Sequence, residues 1–118
     1  MRQATADEAR QRLPLRPVAF AVLAALADSS RPGIEILDEV NATVPARKLL
    51  GPGTLYRLMR DLRTEGLIAR TDRGDRSNDE RQAFHALTPL GRAVLKAEIA
   101  RLRRTLALAE RVSARTER

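Results

Sequence analysis

The chain carries GPGTLYRLMRDLRTEGLI at residues 51–68, and the other elements are best interpreted outward from this segment. Pro52 suits the first position of a helix, where the missing N–H costs nothing. Apolar residues then recur at spacings of three and four, which places them along one side of that helix: Leu55, Leu58, Met59 and Leu62. Gly66 suits the position after a helix, where φ is positive, and Leu67-Ile68 begins a strand. The segment predicts an amphipathic helix that has an arginine-rich exposed face and leads into a strand.

The sequence on both sides supplies the rest of a small helical domain. Turn formers interrupt residues 29–33 and again 72–79, where no apolar residue occurs, so the second stretch indicates a hairpin tip. Thr88-Pro89 is an N-cap followed by proline at the first helical position. The predicted elements are helices over 17–28, from the break to 44, over 52–65 and over 89–113, with strands over 67–71 and 82–87. This order predicts a mainly α fold with a small β-hairpin, a winged helix-turn-helix followed by a C-terminal helix.

Composition limits the chain to one domain and argues against several classes of function. With 118 residues, 43% of them hydrophobic, the chain can bury one aliphatic core, and it has no cysteine for disulfides or thiolate metal sites. His85 is the only histidine, which leaves it without the companions of a metal site. Because the chain also lacks a glycine-rich phosphate loop and a Ser–His–Asp set, we expect no enzyme, no cofactor and no metal.

The N-terminal third could be mistaken for a secretory signal. Three arginines precede an apolar run at residues 18–27, which imitates the signal pattern. Asp7 and Glu8 lie in the would-be basic region, two prolines interrupt the approach, and the run is too short to span a bilayer. We therefore expect a cytoplasmic protein with no membrane partner.

The net charge of +7 is unevenly distributed. Residues 17–88 are neutral overall, whereas residues 47–63 carry a local charge of +4. Arginines on an exposed helix face can pair with guanine O6 and N7 in the major groove, while phosphate contacts supply most of the affinity. We expect Arg57 and Arg60 to read base edges, with Arg63 on their flank. The expected contacts to the DNA backbone are Arg47, Lys48, Thr54 and Tyr56.

Several of these expectations have open alternatives. Arg57 and Arg60 could instead lie on a solvated helix face with local ion pairs such as Arg57–Asp61, and Tyr56 could be a partly buried ring with its hydroxyl at the surface. Arg73 and Arg76, in the predicted wing, could contact the minor groove or the DNA backbone. Because acidic residues match the arginines of that segment in number, a self-paired, solvated hairpin is an equal alternative.

The last helix has an apolar pattern of its own. Five residues spaced four, three, four and three apart form the repeat of a helix–helix seam: Leu95, Ile99, Leu102, Leu106 and Ala109. A second stripe lies on another side and can cover the domain itself: Leu90, Val94 and Ala97. We expect a two-fold dimer through the seam, the alternative being that both stripes bury against one core. The expected organisation is a polar arm or short helix over 1–16, a DNA-binding domain over 17–88 and a dimerisation helix with a frayed tail over 89–118.

Residues 17 to about 112 resemble the PadR family of transcriptional regulators, in the short form with a single C-terminal helix. The resemblance rests on Gly51-Pro52-Gly53-Thr54-Leu55-Tyr56-Arg57, Glu65-Gly66-Leu67-Ile68, Leu87-Thr88-Pro89 and Gly91-Arg92. It implies a winged-helix homodimer that represses transcription at a palindromic operator. Members commonly carry His-Gly-Tyr where this chain has Pro32-Gly33-Ile34, and a tyrosine-rich strand where it has Phe84-His85-Ala86. Because the last helix has no aromatic residue, we do not expect an effector that stacks there.

The leading hypothesis is a sequence-specific DNA-binding regulator, a homodimeric repressor whose partners are double-stranded DNA, a second copy of itself and a small-molecule effector of unidentified class. One alternative is a winged helix used for protein docking, with the acidic second helix and the neutral wing as contact surface. Another is a MarR- or ArsR-like regulator, which shares the fold but forms a different dimer.

Overall fold

Five helices and three short strands make up the part of the chain that the structure, a computed structural model, describes: residues 2–43, 50–71 and 79–117. The elements are α1 (Arg2–Gln11), α2 (Pro17–Ala25), β1 (Arg31–Pro32), α3 (Gly33–Thr43), α4 (Pro52–Thr64), β2 (Ile68–Arg70), β3 (Phe84–Leu87) and α5 (Pro89–Thr116). The predicted fold class, a winged helix-turn-helix with a long C-terminal helix, is confirmed. Two elements were not predicted outright: α1, which the sequence left open between helix and arm, and β1.

Local sequence explains where the helices begin and end. Proline occupies the first turn of α2, α4 and α5, after an N-cap residue in the extended conformation. The Thr88 side chain accepts a hydrogen bond from the Gly91 N–H at the start of α5 (3.0 Å). Gly66 ends α4 with a φ of 79°. The N–H groups of Gly66 and Leu67 bond back to the carbonyls of Arg63 and Leu62, which is a Schellman motif.

The sheet has the antiparallel order β1-β3-β2. Ile68 pairs with Leu87 across β2 and β3, and Pro32 pairs with Phe84 across β1 and β3. The prediction of an irregular break over residues 29–33 was therefore wrong for Arg31–Pro32. Proline is compatible with an edge strand because only one side of that strand has to donate hydrogen bonds.

The core is aliphatic and lies between α2, α3, α4 and the first half of α5. Its fully buried side chains include Leu23, Ile36, Leu55, Met59 and Val94. Because the second half of α5, from residue 102 onward, extends beyond this core, its side chains are exposed. No helix in the described ranges is both long enough and apolar enough to cross a membrane.

The N-terminal residues pack onto α5 and then pass beside α4. Ala9 of α1 is buried in the core. Residues 12–16, which we call the strap, connect α1 to α2. The Leu15 N–H donates to the carboxylate of Glu98 on α5 (2.8 Å), and Arg12 Nη1 donates to the carbonyl of Glu65 at the end of α4 (3.3 Å). The strap thus touches both α4 and α5.

Candidate nucleic-acid interface

The exposed side of α4 carries two uncommitted arginines. Leu55 and Met59 on the opposite side are fully buried, which fixes the rotation of the helix about its axis. Arg57 and Arg60 are exposed, and neither guanidinium group has a hydrogen-bond or ion-pair partner among the described residues. Thr54 in the first turn is exposed as well. The helix therefore presents two free guanidinium groups, three residues apart, on one surface.

Arg63, predicted to flank this surface, is engaged within the chain. Its Nη1 and Nη2 donate to the Glu80 carboxylate at 3.0 and 2.6 Å, and Arg70 of β2 donates to the same carboxylate at 3.1 Å. Burial alone raises the pKa of Glu80, but the hydrogen bonds and charges of the two arginines outweigh it and hold the pKa below its ordinary value. We call Glu80, Arg63, Arg70 and His85 the Glu80 cluster; it ties the end of α4 to both long strands of the sheet.

His85 completes the cluster as a neutral side chain. It is fully buried, its Nδ1 lies 3.0 Å from the Ala83 carbonyl, and its Nε2 lies 3.0 Å from Arg63 Nη1. Because a carbonyl only accepts and a guanidinium only donates, Nδ1 carries the proton and Nε2 is the acceptor. Burial lowers the pKa of His85, and the charges of Arg63 and Arg70 lower it further against the opposing effect of Glu80. The histidine therefore acts as a hydrogen-bonded structural group.

Tyr56 faces the same side of α4 as Arg63. Its hydroxyl is buried and has no hydrogen-bond partner among the described residues, and burial raises the pKa of this hydroxyl. Gly33 allows the close approach, since a Cβ there would lie 2.0 Å from the Glu80 carbonyl oxygen and 3.2 Å from Tyr56 Cε1. A contact from the Tyr56 hydroxyl to a phosphate would require it to turn out of this position.

None of the predicted contacts outside α4 belongs to the described residues, and one basic residue that was not predicted lies beside α4. Arg47, Lys48, Arg73 and Arg76 lie outside the described residues. Arg16, which sequence analysis assigned to a polar arm, lines a groove together with Thr54 and Arg57. The local sequence around Arg16 contains no signal for this placement, which depends on how the strap crosses α4.

The predicted seam on α5 divides into two parts. Leu95 and Ile99 pack against the chain's own core, whereas Leu102, Leu106 and Ala109 are exposed. Two further large apolar side chains, Leu108 and Val112, are exposed on the same half of the helix. Monomeric proteins rarely expose contiguous apolar surface of this kind without a partner.

Within the described residues, no group of three or more histidine, aspartate and glutamate side chains is arranged to hold a metal ion. The exposed cationic side chains of α4 form the candidate nucleic-acid interface, and the exposed apolar side chains of α5 form a separate surface.

Comparison with known proteins gives a consistent family. The model for the transcriptional regulator PadR-like family matches residues 22–97. A PadR family transcription regulator from hypervirulent Clostridium difficile superposes with a TM-score of 0.67 and 19% identity, covering 80% of this chain and 96% of that one. A PadR-like transcriptional regulator from Bacillus cereus gives 0.65 and 15%, with 80% and 88% covered. Lactococcus lactis ZitR in complex with DNA gives 0.58 and 18%, with 87% and 63% covered. The search of curated proteins found no match.

Proposed function

Because this chain belongs to the PadR-like family of transcriptional regulators, we propose that it is a cytoplasmic, sequence-specific DNA-binding protein that acts as a homodimeric repressor at a palindromic operator. The observation that carries the proposal is the pair of uncommitted arginines, Arg57 and Arg60, on the exposed face of α4. ZitR, a protein of the same fold, has been solved in complex with DNA, which supports DNA as the ligand.

Arg57 and Arg60 are assigned to direct readout of base edges. Residues three positions apart on a helix are neighbours, so both guanidinium groups can enter one stretch of major groove. A guanidinium pairs with guanine O6 and N7 through two parallel hydrogen bonds, which contribute about 1–3 kcal/mol of discrimination against another base. The buried side chains of Leu55 and Met59 support this role because they hold the helix in one orientation.

Contacts to the DNA backbone are assigned to residues around α4. Thr54 lies in the first turn, where helix N–H groups and the helix dipole favour a phosphate. Arg47, Lys48, Arg73 and Arg76 remain proposed phosphate contacts, and Tyr56 joins them if its hydroxyl turns outward. Arg63 is assigned a different role, since both of its terminal nitrogens already bind the Glu80 carboxylate. It holds α4 against the sheet instead of contacting DNA.

The exposed half of α5 is assigned to the contact with a second copy of the chain. Leu102, Leu106 and Ala109 continue the seam that Leu95 and Ile99 begin, and a two-fold axis would bring the same surface of each copy together. Residues 17–88 would then be the DNA-binding domain and residues 89–118 the dimerisation helix. A small-molecule effector, whose class is unidentified, belongs to the same proposal, and the largely apolar groove between α2 and α5 is its proposed site.

The proposal is tested by selecting duplexes from a random library with the purified protein at about 150 mM salt. We expect an inverted repeat with half-site centres roughly one helical turn apart. The Arg57→Ala/Arg60→Ala variant should lose roughly 10³-fold or more in affinity for the selected duplex, since a dimer would lose four contacts of at least about 1 kcal/mol each. The control is Arg103→Ala/Arg104→Ala, which removes the same charge from exposed positions on α5.

Each outcome has a defined meaning. A lost sequence preference in the Arg57/Arg60 variant, with an unchanged melting temperature, supports the assignment of α4. A retained sequence preference refutes it. If the wild type enriches no sequence and its weak binding vanishes as salt rises, the basic residues only attract DNA, and protein docking becomes the better hypothesis.

A further inference from the structure

We propose that the strap, residues 12–16, is a second DNA-contacting element and that Arg16 binds a backbone phosphate beside the base-reading face of α4. This inference rests on the proposed function, because it takes the exposed face of α4 as the surface that enters the major groove.

The strap runs along one flank of α4. Near the end of the helix, Arg12 donates to the Glu65 carbonyl (3.3 Å), and near its start, Arg16 lines a groove with Thr54 and Arg57. The Glu80 cluster contacts α4 through Arg63, which lies on the other flank of the helix. The base-reading face of α4 is therefore bordered by the strap on one side and by the sheet on the other.

Arg16 is the cation that the strap leaves uncommitted. Arg12 is paired with Glu8, and Arg10, just before the strap, is paired with Asp7. The Arg16 side chain is exposed and has no hydrogen-bond or ion-pair partner among the described residues. Asp61 also lines its groove, so the groove residues Arg16, Arg57 and Asp61 together carry a charge of +1. A free cation at this edge of α4 remains available to a phosphate.

The geometry of groove binding places a phosphate on this flank. When the exposed face of a helix reads base edges in the major groove, residues beside that face lie close to the sugar–phosphate strands that form the groove walls. Arg16 borders the face next to Arg57 and so faces one of those walls. Its guanidinium can bind two phosphate oxygens through parallel hydrogen bonds.

The backbone around Arg16 is fixed on both sides. The preceding Leu15 N–H donates to the buried carboxylate of Glu98 (2.8 Å), and the Arg16 carbonyl accepts the first hydrogen bond of α2 from Phe20 (2.9 Å). Glu98 is itself held by Arg101, whose Nη2 donates at 3.1 Å. Because the backbone is already ordered, binding a phosphate costs only the freedom of the Arg16 side chain.

The inference is tested through the salt dependence of DNA affinity, measured on the duplex that the wild type selects from a random library. Each phosphate contact contributes about 0.9 to the slope of log affinity against log salt, so Arg16→Ala should reduce the slope of a dimer by about 1.8. Between 50 and 200 mM salt, the affinity advantage of the wild type over this variant should then shrink by about 12-fold. Arg16→Lys should retain the slope, and Arg10→Ala, which removes an arginine already paired with Asp7, should leave it unchanged.

The outcomes separate this inference from the function on which it rests. If the wild type binds the selected duplex and Arg16→Ala keeps the full slope, the strap contact is wrong and the function of α4 stands. If Arg10→Ala lowers the slope as much as Arg16→Ala does, the effect reflects overall charge, and the inference fails. If the wild type selects no duplex, the proposed function fails first, and the inference is overturned with it.

Discussion

Replacing Glu80 with glutamine removes the charge that joins the end of α4 to β2 and β3, and we expect the free energy of unfolding to fall by about 3 kcal/mol. The carboxylate accepts two hydrogen bonds from Arg63, at 3.0 and 2.6 Å, and one from Arg70, at 3.1 Å. Glutamine has the same shape but keeps one acceptor oxygen and no charge, so Arg63 and Arg70 both lose the negative charge of Glu80.

The magnitude follows from these bonds. A hydrogen bond to a charged group contributes about 1.5–3 kcal/mol and one between neutral groups about 0.5–1.5 kcal/mol. In the variant one of the three bonds loses its acceptor and the other two lose the charge of theirs, which together amounts to about two charged hydrogen bonds. The low end of the range applies because the Glu80 side chain is 16% exposed, so water screens part of the interaction. For a chain of this length, about 3 kcal/mol corresponds to a decrease of roughly 12 °C in melting temperature.

A matched control is Glu35→Gln. The Glu35 carboxylate is 57% exposed and lies 3.7 Å from Arg31, so it forms an ordinary surface ion pair, and its loss should change the unfolding free energy by less than about 0.5 kcal/mol. Both variants would be unfolded in urea at neutral pH and at the same protein concentration, since association contributes to apparent stability. Equal losses in the two variants would show that the Glu80 cluster stabilises the fold no more than a surface pair does.

Two further predictions concern pH and assembly. Burial lowers the pKa of His85 in the folded chain. As pH falls below about 6.5, the histidine of the unfolded chain therefore takes up a proton before that of the folded chain. The unfolding free energy should decrease in this range by up to about 1.4 kcal/mol per pH unit. His85→Gln should remove this slope in urea titrations, while Glu80 and Glu98 act only in more acid solution. Leu106 is 59% exposed in the single chain and lies in the proposed seam, so Leu106→Glu should give a monomer by light scattering, whereas Ala107→Glu should remain dimeric. A Leu106→Glu variant that is still a dimer would place the interface elsewhere.

The helices were predictable because their signals are local. The spacing of Leu55, Met59 and Leu62 gives one buried side within a single helix, and all three are buried. Proline at the first turn and Gly66 after the last one place the ends of α4 within a residue of the prediction. The exposure of Arg57 and Arg60 follows from the same periodicity, so the central part of the candidate interface could be predicted from the sequence alone.

The missed features depend on contacts between residues far apart in sequence. Arg63 and Glu80 are separated by seventeen positions, and no periodicity relates them, so the prediction of Arg63 as part of the DNA surface could not anticipate its partner. The bond from Leu15 to Glu98 spans 83 positions and depends on how α1 packs against α5. Pairing of Arg31–Pro32 with β3 was hidden because a two-residue strand has no alternation to detect.

The start of α5 would limit how the two half-sites of the proposed operator can be spaced. Gly91 lies so close to Leu67, the residue before β2, that a Cβ there would fall 1.9 Å from the Leu67 carbonyl oxygen, and Glu98 holds the other end of the same helix segment to the strap. With α5 fixed at both points, a dimer joined through α5 would hold its two α4 helices at one separation. One inserted base pair moves a half-site by about 3.4 Å and turns it by roughly 35°. Such a dimer would have little capacity to follow that displacement, so the length of the operator's spacer would be set by the protein.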